Sequence, residues 1–147
     1  MEKRIYANKG ILINKMGRKE LIDRLKNYRM IKAKMLQSRF KEEELKEITI
    51  SASTFEEKFG TDVTSSVENK AIKILEYQEN IKEYALELAQ LDNAMSVLSD
   101  VEVKVIRKRF IDRIGREKVG IQLSFSARNI GNIENRALDK MIEVLGC

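Results

Sequence analysis

Arg128 and Asn132 have the side chains of this chain best suited to reading a partner. A guanidinium can place two parallel hydrogen bonds on guanine O6 and N7, and a carboxamide can do the same on adenine N6 and N7. One helical turn separates the two residues, so a helix offers both on one side. Ala127, Asn129, Gly131, Asn135 and Arg136 lie around them, and Ser126 stands just before. This chemistry needs the N-terminal end of a helix, open to a groove.

The neighbouring pattern supplies such a helix. Val119, Leu123, Ile130, Ile133, Ala137, Leu138 and Met141 recur at three- and four-residue steps. They define the buried side of two helices, one from about Arg116 to Leu123 and one from Ser126 to about Leu145. Ser126 suits the N-cap, accepting from the backbone N–H of Arg128 or Asn129. Gly120 inside the first helix costs about 1 kcal/mol against Ala, which makes sense if a second helix crosses close above it. The spacing predicts a helix-turn-helix.

The run from Val101 to Met141 resembles region four of bacterial sigma factors. The likeness is carried by Ile130, Ile133, Glu134, Ala137, Leu138 and Lys140, with Val105-Ile106 and Arg109-Phe110 in the helix before. It covers about the last third of the chain. The residues at Ala127, Arg128 and Asn132 match the positions from which that region reads bases. The sequence departs from the family at Ala127, Asn129 and Gly131, where longer or basic side chains are usual. The overall layout is similar to small phage regulators of the RinA/ArpU type, which activate late genes. The resemblance implies double-stranded DNA and bacterial RNA polymerase as partners, inside a bacterial host cell.

Phosphate contacts are expected from Arg107, Lys108, Arg113, Arg116 and Lys118, with the helix dipole of the base-reading helix adding to them. The plain alternative is that Arg107–Arg109 is a solvated basic face. The formal charge of +5 is compatible with a polyanion. It is unevenly spread: +7 over residues 1–47, −5 over 48–98 and +3 over 99–147.

The chain has no His, which excludes His-based metal sites and triads, and no nucleophile–base pair stands out. No enzyme, catalytic residue, metal or cofactor is expected. Cys147 is the lone cysteine, which suits a reducing compartment. No apolar run approaches the roughly 20 residues of a membrane span, and the N-terminus lacks the apolar core of a signal peptide. The expectation is a cytoplasmic protein with no membrane partner.

The absence of Pro among 147 residues favours long helices. Residues 1–14 read as irregular. A long helix is expected from about Arg18 to Glu47, with a stripe of Leu21, Leu25, Tyr28, Ile31, Met35 and Leu36. The acidic run Glu42–Glu44 within it reads as a solvated face rather than a metal site. A Ser/Thr-rich loop is expected over 48–66, holding at most one helical turn at Thr54–Lys58. Its single Gly60 makes a phosphate-binding loop the weaker reading. A second helix follows from about Val67 to Leu98, capped by Ser65 or Ser66. Val67, Ala71, Ile74, Ile81, Ala85, Leu88 and Met95 mark its stripe, widened by Leu75, Leu91 and Leu98 and flanked by Tyr77 and Tyr84.

The expected fold is all-α. Residues 1–98 form a long antiparallel helical hairpin, and residues 99–147 form a three-helix helix-turn-helix domain opened by a Ser99–Glu102 capping box. A basic and an acidic helix suggest opposite charges across the hairpin seam, and its stripes suggest a homodimer, as a coiled coil or four-helix bundle. Two further function classes fit the same features. One is a DNA-packaging protein like a small terminase subunit. The other is an interaction module that binds polymerase and no DNA.

Overall fold

The computed structural model describes residues 5–8, 11–13, 16–59 and 64–146, with side chains described for 16–50 and 67–146. Among these residues helices dominate. They are α1 (Arg18–Lys26), α2 (Tyr28–Phe59), α3 (Thr64–Met95), α4 (Asp100–Ile106), α5 (Arg116–Leu123) and α6 (Ala127–Leu145). From Arg18 onward every element among the described residues is helical, as the all-α expectation has it. Residues 5–8 and 11–13 differ from the irregular reading. β1 (Ile5–Asn8) and β2 (Ile11–Ile13) pair antiparallel, with Ile5 opposite Ile13 and Asn8 opposite Ile11. β-Branched isoleucines suit a pleated ribbon.

The chain divides into two compact units, Met1–Arg29 with Ala89–Cys147, and Met30–Leu88. The helix expected over 18–47 is interrupted at Asn27, whose N–H bonds back to Asp23 and Arg24 carbonyls before α2 begins. Asn competes for backbone bonds and so favours a helix end. The loop expected over 48–66 is mostly helix: α2 continues to Phe59 and α3 starts at Thr64. Ser and Thr are only mildly poor helix formers, and no Gly or Pro interrupts the run before Gly60. Ser65 and Ser66 therefore lie inside the first turn of α3 rather than capping it. The residues around Gly60, and Cys147, lie outside the described part.

In the first unit, Leu21, Leu25, Tyr28, Leu91, Ala94, Met95, Val105, Ile106, Phe110, Ile111, Val119, Ile130, Ile133, Ala137, Leu138 and Met141 are buried. Val105, Val119, Ile130 and Ile133 form the centre under α5 and α6, with Ile114 and Leu123 half-buried beside them. Val101, one turn before the buried Val105 on α4, is exposed.

Ser99 caps α4 in the expected box. Its hydroxyl accepts from the Glu102 N–H at 3.3 Å, and the Glu102 carboxylate accepts from the Ser99 N–H at 2.9 Å. Beyond Ile106 the helix widens into a π-helical turn, Arg107–Ile111, and stops at Arg113, which has φ of 59°.

In the second unit, Ile31, Met35, Glu42, Leu45 and Thr49 of α2 are half-buried and Ser38 is buried. These positions alternate three- and four-residue steps, the spacing of a coiled-coil seam. On α3 the matching positions are Val67, Lys70, Ile74, Tyr77, Ile81, Tyr84 and Leu88. Gln78 donates to Glu42 at 2.6 Å, joining the two helices. Tyr77 and Tyr84 are themselves half-buried. Leu36, Ala71 and Leu75, assigned to the stripes from sequence, are exposed instead. The seam drifts along each helix, so a stripe drawn too wide takes in residues from the far side. Lys46 pairs with Glu42 and Glu43 within its own helix.

Candidate nucleic-acid interface

The turn between α5 and α6 is built on Gly120 and Ser124. Ser124 takes the left-handed conformation, φ 63° and ψ 41°, and ends α5. The N–H of Phe125 then reaches back to the Gly120 carbonyl at 2.8 Å, the bond of a Schellman motif. A Cβ on Gly120 would sit 2.4 Å from the Phe125 carbonyl oxygen. The small residue therefore admits the backbone of the turn, a closer requirement than a crossing helix. The chain re-enters helix at Ser126, whose hydroxyl accepts from the Asn129 N–H at 3.0 Å.

α6 has two contrasting sides. Ile130, Ile133, Ala137, Leu138 and Met141 are buried. Arg128, Asn132, Asn135 and Arg136 are exposed, while Ala127, Asn129 and Gly131 are half-buried at the margin. Four donors and acceptors of this kind on the open side of a helix end can hydrogen-bond a flat polar edge. The Ser126 hydroxyl, in contrast, is engaged in the cap.

One acidic residue organises the basic ones. The Glu134 side chain is 2% exposed and lies on the buried side of α6. Arg109 Nε donates to it at 2.6 Å, and Arg109 Nη1 donates to the Ile114 carbonyl at 2.9 Å. Arg116 reaches the same carboxylate through Nε at 3.1 Å and Nη2 at 3.1 Å. The Arg116 guanidinium carbon lies 3.5 Å from where a Gly131 Cβ would be. Gly131 thus leaves room for a guanidinium laid against α6. The hydrogen bonds and charge of Glu134 raise the Arg116 pKa.

The other expected phosphate contacts separate. Lys118 is exposed on α5 and Lys108 is half-buried. Arg113 Nη2 donates to the Lys26 carbonyl at 2.9 Å, so it is committed to the end of α1. Arg107 lies beside the Tyr28 hydroxyl. Burial raises the Tyr28 pKa, and the hydrogen bond to Asp92 at 2.8 Å adds to this, while the positive charge of Arg107 opposes it. Arg107, Arg113 and Arg116 were assigned to phosphate from type alone. Each also has a protein neighbour, and all three remain exposed.

Sequence reasoning missed Arg109 as a structural residue, treating it as part of a basic run. The signal was its place in the apolar register, one residue before Phe110 and three after Ile106. Two further ion pairs hold α6. Lys140 bonds Glu102 at 2.9 and 3.0 Å, tying α6 to α4. Arg18 forms a bidentate pair with Asp139 at 2.9 and 2.8 Å, tying α6 to α1.

Among the described residues there is no group of His, Cys, Asp and Glu set to hold a metal ion, and no helix is long and apolar enough to cross a membrane. No protein family, curated protein or solved structure matches the chain.

Proposed function

We propose that this protein is a sequence-specific DNA-binding regulator of transcription. In this reading α5, the Ser124–Ser126 turn and α6 act as a helix-turn-helix, and the N-terminal half of α6 enters the major groove. The single observation that carries it is the division of α6: a packed apolar side, with Arg128, Asn132, Asn135 and Arg136 exposed on the other. Arg128 and Asn132 read bases, and Lys118 with the half-exposed Arg116 contacts phosphate. The likeness of Val101–Met141 to sigma region four favours a promoter as the target and bacterial RNA polymerase as partner, in the manner of a phage late-gene activator. Residues 30–88 serve a homodimer that sets half-site spacing.

Selection of bound sequences from a random DNA pool tests this reading. The expected result is an enriched motif with salt-sensitive affinity. Arg128→Ala or Asn132→Ala should weaken binding to that motif by about tenfold to a hundredfold and relax one position. Flat enrichment at low salt would refute it.

A second reading, a polymerase-binding module without DNA contact, is favoured by Ile121 on α5, which is 81% exposed. Ile121→Ala should then abolish polymerase capture while Arg128→Ala leaves it intact.

A further inference from the structure

α3 carries a second stripe on the side away from its seam with α2. Ile72, Leu75, Glu79, Lys82, Leu86 and Ala89 follow at alternating three- and four-residue steps, and all are exposed. Ile72 is 55%, Leu75 64% and Leu86 61% exposed. Large apolar residues at coiled-coil spacing on an already packed helix indicate a further helical partner.

The order of residues along the stripe identifies that partner. Laid antiparallel on a copy of itself about a two-fold axis between Asn80 and Ile81, the stripe matches in every layer. Glu79 meets Lys82 of the other copy, and Lys82 meets its Glu79. Leu75 meets Leu86, and Ile72 meets Ala89. In a parallel pair each residue would meet its own twin. Glu79 would then face Glu79 and Lys82 would face Lys82, a like-charge clash in two successive layers. A two-fold contact must be self-complementary, and this stripe is so in one direction only. We infer that the outer side of α3 is a homodimer surface, pairing antiparallel with the α3 of a second copy.

This rests on the homodimer in the proposed function, and it specifies which residues form it. It does not depend on what α6 binds, because the mass of the full chain is measured without DNA. The wild-type chain should sediment as a dimer. Glu79→Lys and Lys82→Glu should each weaken association by about tenfold, since each reverses a pair that occurs twice. Glu79→Lys combined with Lys82→Glu should restore it, which also shows that the exposed positions tolerate both charges without loss of folding.

Register is read by disulfide trapping in a Cys147→Ser background. Leu75→Cys chains mixed with Leu86→Cys chains should cross-link under oxidation. Neither should cross-link alone, because like positions lie about 16 Å apart along an antiparallel pair, beyond the roughly 7 Å reach of a disulfide. A monomer at all concentrations would overturn the homodimer as well as this surface. A dimer unaffected by the charge reversals, or one trapped by Leu75→Cys alone, would overturn the antiparallel α3 pairing while leaving a homodimer.

Discussion

Replacing Arg109 with Leu isolates the most deeply buried carboxylate of α6. Glu134 is held by Arg109 at 2.6 Å and by Arg116 at 3.1 Å. The Arg109 side chain is 21% exposed and that of Arg116 is 51% exposed, against 2% for Glu134. Removing one partner of a buried ion pair costs about 3–5 kcal/mol, because the remaining charge is left without water. Arg116 still offers partial compensation, so the lower end of that range applies. The Ile114 carbonyl also loses its donor, a smaller effect of about 1 kcal/mol.

Arg109→Leu should therefore lower stability by about 4 kcal/mol, a large share of the roughly 5–15 kcal/mol that holds a domain together. Arg116→Leu should cost only about 1 kcal/mol, since half of its side chain is in water. Removing both charges of the buried pair, Arg109→Leu with Glu134→Leu, should recover at least about 1 kcal/mol relative to Arg109→Leu alone. Urea titrations followed by far-ultraviolet circular dichroism at neutral pH measure all three. Equal losses for the two arginine variants, or a double variant no better than the single, would refute the reasoning.

The turn gives two opposite expectations. Gly120→Ala places a Cβ 2.4 Å from a backbone oxygen, so it should destabilise by about 2 kcal/mol, where Ala in an open helix would gain about 1; a raised melting temperature would contradict this. Ser124→Gly relieves a left-handed residue and should stabilise by about 0.5 kcal/mol, as read from the thermal midpoint. Acid should weaken the attachments of α6. Burial pushes the Glu102 carboxyl up, but the Ser99 N–H and the Lys140 ammonium outweigh it and hold the pKa below its ordinary value. Asp139 is lowered by its bonds to Arg18. Both groups are depressed in the folded state, so their contribution is present above the unfolded carboxylate value and is lost as pH falls below about 4. Melts from pH 6 to 2.5 should show a shallower acid loss in Glu102→Gln than in the wild type.

Much of the last third of the chain was legible before folding. The register from Val119 to Met141 marked one buried side, and Ser126 and Ser99 announced their caps. Such signals are local: a cap needs residues three apart, and a helix face needs steps of three and four. The same local reasoning failed between Ile48 and Thr64. Ser and Thr suggested a loop where the backbone is helical for most of the way, because neighbouring helix carried the run through a weak propensity. It failed again for Leu36 and Leu75, since a helix rich in leucine offers more than one possible stripe.

The amino-acid order alone determined the helices of the C-terminal part, the turn between α5 and α6, and the outward placement of Arg128 and Asn132. Only the tertiary structure decided which charges are committed to the protein itself. Glu134 gathers Arg109 and Arg116 from outside α6, and Arg113 finds a carbonyl at the end of α1. Those partners lie 18 to 87 residues apart in the chain. Periodicity fixes which way a side chain points on its own helix. Packing brings its distant partner within hydrogen-bond reach.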